Sequence, residues 1–366
     1  MSAALHIADA LHTFLPRYRQ HHTLSYQQEK VCRHITDCRT AQCGMQQWRC
    51  GDCPFEKQVY CSCRDRHCPR CQGMQTEQWI EAQQAKVLNC RYFHVVFTLP
   101  HELNVMTQYA PEKLYNCLFQ AVWATLSQFA IRRKTLKGQL GMTAVLHTWG
   151  QTLAQHIHVH CLIPGGALDS ESHWHSVKRD YLFPVKALSK VFRAKMFSAL
   201  RAVDVTIPQA NLLMSKPWAV YAKPCLCQPD TVIRYLGRYT RKGILHESRL
   251  QSIDKDNVSF SYKDYADNNR SKQIILKGEE FLRRYLSHIL PKGLMRVRHF
   301  GFLANRCRRK KLSIIRRQLP KVTTCKENAV KEKPLSCWHC PVCKVGVLML
   351  TSVAPYCANT QRRLSG

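Results

Sequence analysis

Cysteines set two residues apart restrict this chain more than any other feature. Of its 20 cysteines, Cys50 and Cys53, Cys68 and Cys71, and then Cys337, Cys340 and Cys343 fall at Cys-x-x-Cys spacing, towards opposite ends of the sequence. Twenty cysteines in a secreted chain would suggest disulfides. Here they cluster with histidine, and Met1–His12 shows no basic stretch leading into an apolar run and a cleavage site. Zinc held by thiolates in a reducing cytosol is therefore expected. Cys50, Cys53, Cys68 and Cys71 are expected to form one tetrahedral site. Cys38, Cys43, Cys61, Cys63 and His67 are left for a second, and Cys337, Cys340 and Cys343, with Cys325 and Cys357 nearby, for a C-terminal one. Modules so poor in apolar residues would draw much of their folding free energy from the metal.

Charge narrows the class of partner. Lys and Arg number 55 against 24 acidic residues, a formal net charge of +31. Such a surplus favours a polyanion, because basic side chains release counterions condensed on nucleic acid. A membrane partner is not expected: the longest apolar run, around Val345–Leu350, is far short of the roughly 18 residues of a spanning helix. A 45% hydrophobic content in 366 residues supports one sizeable core with smaller modules attached.

Three regions separate by composition: 1–88, dense in Cys and His; 89–303, with alternating strand-like and helix-like segments; and 304–366, a basic helix followed by cysteines. In the middle region Tyr92–Leu99 reads as a buried strand stopped by Pro100. Thr143–Thr148 and His156–Leu162 read as strands of a hairpin turned at Gly150, with helices over Tyr115–Arg132, Ala187–Val203 and Asp230–Thr240. These elements imply an α+β fold, an antiparallel sheet with flanking helices. Cys90, Cys117 and Cys161 sit in apolar segments and read as core, and Asp254, Asp256, Asp264 and Asp267 as loop residues.

The segment Gln155-His156-Ile157-His158-Val159-His160 carries the most chemistry. Side chains alternate along a strand, so the three histidines share one face while Ile157 and Val159 take the other. Three imidazoles at this spacing suit a divalent metal better than a merely hydrogen-bonded polar face. Further on, Tyr235 and Tyr239 lie one helical turn apart, with Arg234, Arg238 and Arg241 around them. Taken alone, the pair reads as amphipathic core tyrosines. A tyrosine nucleophile needs activation by a metal or base, and the histidine strand offers one. Trp149 and Gln151 precede that strand and suit either substrate contact or the shape of the hairpin.

Together, a His-hydrophobic-His strand and a Tyr-x-x-x-Tyr helix resemble the two-tyrosine HUH nucleases. More narrowly, the chain resembles rolling-circle insertion-sequence transposases with an N-terminal zinc-binding domain. The blocks that match, in order, are Ser62–Cys71, Phe97–His101, His147–Gln151, His156–His160, Tyr235–Tyr239 and Arg298–Gly301. One departure is Cys43-Gly44-Met45-Gln46 where the family pattern has Gly-Gly-His, which opens a ligand role for Cys43. The resemblance implies an HUH core plus zinc modules at both termini, and a bacterial, cytoplasmic, nucleoid-associated protein. It implies Mg²⁺ or Mn²⁺ held by His158 and His160 with a third ligand from His156 or Gln155, and Zn²⁺ in the structural sites. Tyr235 and Tyr239 would then be the nucleophiles that form a 5′-phosphotyrosine with single-stranded DNA of element ends and target. Arg234, Arg238 and the run Arg308, Arg309, Lys310, Lys311 would bind DNA phosphates. The alternatives are a replication initiator with the same catalytic unit, a non-catalytic zinc-dependent nucleic-acid-binding protein whose tyrosines stack on bases, and a metallohydrolase using the histidines alone.

Overall fold

The computed structural model describes residues 4–71, 86–225, 237, 243–320 and 338–354. They belong to two compact units, one uniting Met1–Gly73 with Thr323–Gly366 and the other spanning Met74–Val322.

In the first unit, helix α1 (Ile7–His21) buries a stripe of Ile7, Leu11, Phe14, Leu15 and Tyr18. That spacing returns to one face every three or four residues. Helix α2 (Tyr26–Thr36) begins at a capping box: Ser25 Oγ accepts from the Gln28 N–H while Gln28 Oε1 accepts from the Ser25 N–H. Strands β1 (Met45–Cys50) and β2 (Glu56–Tyr60) form a hairpin, and β13 (Leu348–Ala354) adds antiparallel to the free edge of β1. Segments almost three hundred residues apart in sequence thus share one three-stranded sheet in the order β13-β1-β2. Its apolar cluster is small, built on Cys50, Cys340 and Leu348 with Trp48 and Phe55 against them.

The second unit is organised on a five-stranded sheet in the order β12-β4-β5-β3-β8, antiparallel throughout. The strands are β3 (Tyr92–Thr98), β4 (Gly141–Trp149), β5 (Gln155–Pro164), β8 (Val220–Cys225) and β12 (Val297–Gly301). Phe93, Val95 and Phe97 of β3, Ile157, Val159 and Cys161 of β5, and Met142, Ala144 and Leu146 of β4 project to one face. There they join side chains of helices α3 (Pro111–Arg132) and α4 (Val185–Arg201) in the main core. Cys117 and Cys161 are buried in it, as expected, while Cys90 is half-buried. Between the sheet strands lie the short ribbon β6 (Gly166–Leu168) and β7 (Trp174–Ser176). A second sheet of β9 (Leu250–Ile253), β10 (Asn257–Asp264) and β11 (Arg270–Lys277) leads into helix α5 (Gly278–Leu286). After β12 the chain turns at Gly301, whose φ of 62° and close approach to the Leu140 carbonyl exclude a side chain. The basic stretch then forms α6 (Arg308–Gln318), anchored by Leu312 and Ile315 against Phe302 and Leu303. The C-terminal region expected from about residue 304 is therefore divided: α6 packs in the second unit and β13 completes the first.

The β4–β5 loop is gripped from outside the sheet. Arg284 donates to the Thr152 carbonyl at 3.1 Å and Arg249 to the Gln151 carbonyl at 2.6 Å. His288, just past α5, is fully buried between the Thr148 hydroxyl (3.2 Å) and the Leu153 carbonyl (2.9 Å). A carbonyl only accepts, so Nε2 carries the proton and Nδ1 takes the one from Thr148. Burial pushes this imidazole down to about 4, so the unfolded chain is protonated first as pH falls. Stability from His288 is full above about pH 6.5 and drains away towards pH 4, by about 3 kcal/mol. In thermal unfolding, His288→Gln is expected to melt lower than the wild type at pH 7.5. The variant should also lose less on going from pH 7 to pH 4.5.

Candidate functional site

His147 of β4 and His158 and His160 of β5 place ring nitrogens within 4.8 Å of one another on the sheet face opposite the helices. His147 and His158 are buried and His160 is half-buried. The His158 Nδ1 lies 2.8 Å from the His156 carbonyl, to which it must donate. That leaves Nε2 bare and 3.0 Å from Nε2 of His160. His160 turns its other nitrogen to Nε2 of His94 on β3, 2.9 Å away. With Nδ1 of His160 donating to His94, the Nε2 atoms of His158 and His160 turn lone pairs towards each other across a gap that a cation would bridge. Two donors at right angles, each about 2.1 Å from a metal, stand about 3.0 Å apart, so the spacing fits. Burial, with a smaller push from His156, lowers His158 to about 4, which keeps it neutral and able to ligate near pH 7.

The third member of this set was not singled out from the sequence. His156 is exposed with its ring 4.7 Å from that of His158, and it lies outside the cluster. Gln155 donates its side-chain amide to Thr107 Oγ1 at 2.8 Å. His147 takes the place expected for them because of a bulge. Trp149 pairs with Gln155, but the register shifts between His147 and Trp149, and from there His147 pairs with His158 and Val145 with His160. Without that one-residue shift, His147 would oppose Ile157. Trp149 stacks on His147 with ring centres 5.0 Å apart, and the Arg296 guanidinium lies 4.8 Å from the Trp149 ring centre. Gln151 donates to the Tyr265 hydroxyl at 3.1 Å. The sequence signals for His147 are its place at the end of a strand, two residues before Trp149, and its position at the head of the family-like block His147–Gln151.

Tyr235, Tyr239, Arg234 and Arg238 lie outside the described residues, although Gly237 between the tyrosines is helical and buried. Arg308, Arg309, Lys310 and Lys311 form the first turn of α6, with Arg309 and Lys310 exposed. The loop aspartates carry no metal cluster among the described residues: Asp264 and Asp267 each lie 2.9 Å from Lys272, and Asp254 and Asp256 are exposed.

The sulfur clusters correct the expected zinc partition. Cys50, Cys53, Cys68 and Cys71 are not one site. Cys50 and Cys53 gather with Cys340 and Cys343, and Cys68 and Cys71 with Cys38 and Cys63. Sulfur separations are 3.5 Å for Cys38–Cys71 and Cys63–Cys71, 3.7 Å for Cys50–Cys343 and 3.6 Å for Cys53–Cys340. A tetrahedral zinc with bonds of about 2.3 Å separates its sulfurs by about 3.8 Å, so both clusters fit that ion. Cys43, Cys61 and His67 stand outside the second set. His67 instead meets Asp65, at 3.1 Å, and Asp65 also holds His34 at 2.8 Å. Burial opposes ionisation of Asp65, but hydrogen bonds from His67 and His34 outweigh it and hold the carboxyl well below its usual range. The C-terminal trio is not a separate site either, since Cys340 and Cys343 complete the Cys50–Cys53 set, and Cys337 lies outside the described residues. Main-chain N–H groups of Gly346 and Val345 lower Cys343 to about 7, which favours the thiolate a metal needs. Gly346 leaves no room for a side chain, because a Cβ there would sit 2.4 Å from the Cys50 sulfur.

Two known families match this chain. Residues 10–99 match the family described as "Transposase zinc-binding domain", and residues 141–311 the family described as "Putative transposase". The "Putative transposase y4qJ" of Sinorhizobium fredii is 38% identical over 84% of this chain and 82% of its own length. The chain belongs to this transposase family. The transposase for insertion sequence element IS801 of Pseudomonas savastanoi pv. phaseolicola is 29% identical, covering 74% of this chain and 68% of its own. Among solved structures, the conjugative relaxase TrwC in complex with a 27-mer DNA is 19% identical with a TM-score of 0.26. That match covers 31% of this chain and 45% of the relaxase chain. No helix among the described residues of this transposase is long and apolar enough to cross a membrane.

Two measurements test these centres. In Mn²⁺ titrations, His147→Ala is expected to abolish binding as His158→Ala and His160→Ala do, while His156→Ala and Gln155→Ala leave it nearly unchanged. His94→Ala removes only the partner of His160 and should weaken binding about 10- to 100-fold. Zinc analysis should find one ion for each of the two four-cysteine clusters. The double variant Cys340→Ala, Cys343→Ala is expected to lose the same ion as Cys50→Ala, Cys53→Ala.

Proposed function

We propose that this transposase cuts and rejoins single-stranded DNA at the ends of an insertion element through a covalent tyrosine intermediate. The observation that supports it best is the three-imidazole cluster on the sheet face opposite the helices, in a family member whose relatives are named transposases. His147, His158 and His160 would hold a divalent cation, and an all-nitrogen donor set suits Mn²⁺ better than Mg²⁺, which prefers oxygen. When bound, such an ion supplies Lewis-acid stabilisation of charge on the nonbridging oxygens of the scissile phosphate.

The chain's own groups would do the rest. His94 fixes the tautomer of His160, and Trp149 restrains the His147 ring. Tyr235 or Tyr239 attacks phosphorus: the Tyr O–P bond forms as the P–O3′ bond breaks, and the departing 3′ oxygen is left as a hydroxyl. The 5′ side stays on the tyrosine as a phosphodiester, so reversal by another 3′-hydroxyl rejoins a strand without an external energy source. A second tyrosine allows a second strand to be held while the first awaits transfer. Arg234 and Arg238 would face the phosphates being exchanged. The zinc modules would bind the element's DNA, and α6 would add phosphate contacts through Arg309 and Lys310.

Incubation with a labelled, randomised single-stranded DNA pool and Mn²⁺ should yield adducts that survive SDS. EDTA, His158→Ala with His160→Ala, and Tyr235→Phe with Tyr239→Phe are each expected to abolish them. The single tyrosine variants then identify which residue attacks first. Tight DNA binding without an adduct under any condition, oligonucleotides from element ends included, would overturn the proposal.

A further inference from the structure

A small, largely apolar cleft with a cationic rim lies on the histidine face of the sheet, nearer the opposite end of β4. Thr143 pairs with Leu162 on one side and His299 on the other, so all three share a face with His147. Thr143 lies four positions before His147 on the strand, about 14 Å at about 3.4 Å per residue. Tyr92 and Leu162 form an apolar floor. Lys86 and Arg308, the first residue of α6, line the cleft from above and beside His299. Thr143 Oγ1 and His299 Nδ1 are 3.0 Å apart. Among the described residues, no Asp or Glu lines this cleft.

Two cations therefore converge on a partly apolar recess that opens to solvent. Burial lowers Lys86 and the Arg308 charge lowers it further. His299 is pushed down to about 4 by burial, with Arg308 and Lys86 adding to the effect, so it is neutral near pH 7. A neutral ring that accepts the Thr143 hydroxyl proton at Nδ1 keeps an N–H donor at Nε2. Two positive charges and an uncharged N–H donor make a set for a singly charged oxyanion.

We infer that this cleft holds one internucleotide phosphate of the DNA strand crossing to the metal centre, with Lys86 and Arg308 as its counter-charges. The inference rests on the proposed strand-cleaving function. Holding a phosphate a few nucleotides from the histidines fixes which phosphate reaches them, so the cleft sets the position of cleavage in addition to affinity.

The test uses the full chain in EDTA, where binding is read apart from chemistry. The probe is an oligonucleotide selected from a randomised single-stranded pool for binding to the wild type, made as a series with one neutral methylphosphonate at each position. Fluorescence anisotropy is expected to show a position, remote from the cleavage point, where neutralisation weakens wild-type binding about tenfold. Lys86→Gln with Arg308→Gln should lose that sensitivity and no other. The slope of log K against log salt should become shallower by about 0.7. Arg309→Gln with Lys310→Gln, which changes exposed residues of the same helix, should weaken all positions alike. Lys86→Arg should retain the wild-type pattern, and a melting curve and zinc content shared with the wild type certify the fold. A wild-type series with no such remote position, or the same profile in the Lys86/Arg308 variant, overturns the inference. If the profile behaves as expected but no covalent adduct ever forms, the cleft stands and the nuclease reading fails. If adducts form at unshifted positions in the variant, the cleft fails and the nuclease reading stands.

Discussion

The pairing of β4 with β5 is the constraint on which the second unit depends. A strand has two faces, and β5 gives Ile157, Val159 and Cys161 to the helices while His158 and His160 take the other side. Burial of the first set makes the register costly to change, because a slip by one residue would exchange every side chain between core and open face. Stability of the core and geometry of the three-histidine cluster are thus the same fact viewed from opposite sides of the sheet. The bulge before Trp149 adjusts this register once, and that single adjustment brings His147 opposite His158. Around it, Arg249, Arg284 and His288 bind the loop carbonyls of residues 151, 152 and 153, so the hairpin end is held by groups from outside the sheet.

The first unit has a different economy. Its sheet buries little apolar surface, with Leu348 buried and Trp48 and Phe55 only partly so, and a three-stranded sheet with so small a core is weak by itself. Two thiolate clusters supply what packing does not. One closes a local region from Cys38 to Cys71, whereas the other joins Cys50 and Cys53 to Cys340 and Cys343. The second cluster closes a very long loop, and its formation needs β13 in register on β1. The DNA-recognition module expected at the N-terminal end therefore includes residues encoded near the C-terminal end. A family match confined to residues 10–99 covers only half of that cluster's ligands.

Electrostatics divides the open face of the main sheet. Burial keeps His158 neutral, as ligation demands, while the cations of Lys86 and Arg308 meet at the other end of β4. A net charge of +31 draws a polyanion to the whole molecule. Only the placement of a few partly buried groups would distinguish the place proposed to hold a phosphate from the many where one is merely attracted.

Local pattern was enough for the parts of this protein that depend on neighbours in sequence. Alternation placed His156, His158 and His160 on one strand face, apolar runs marked β3, β4, β5, α3 and α4 to within a few residues, and Cys-x-x-Cys spacing marked thiolate pairs. The blocks around those residues also carried the family. Which pairs share an ion was not legible, because Cys-x-x-Cys specifies a turn and two donors but not the two that face them. Pairing Cys50–Cys53 with the nearest step, Cys68–Cys71, was the economical guess, and the strand pairing of β13 with β1 decided otherwise. The third imidazole was hidden for a related reason. His147 meets His158 only through a bulge, a one-residue offset that alternation along a single strand cannot reveal. Side-chain periodicity belongs to the local chain, whereas ligand sets belong to contacts between strands, and those exist only once the sheet has closed.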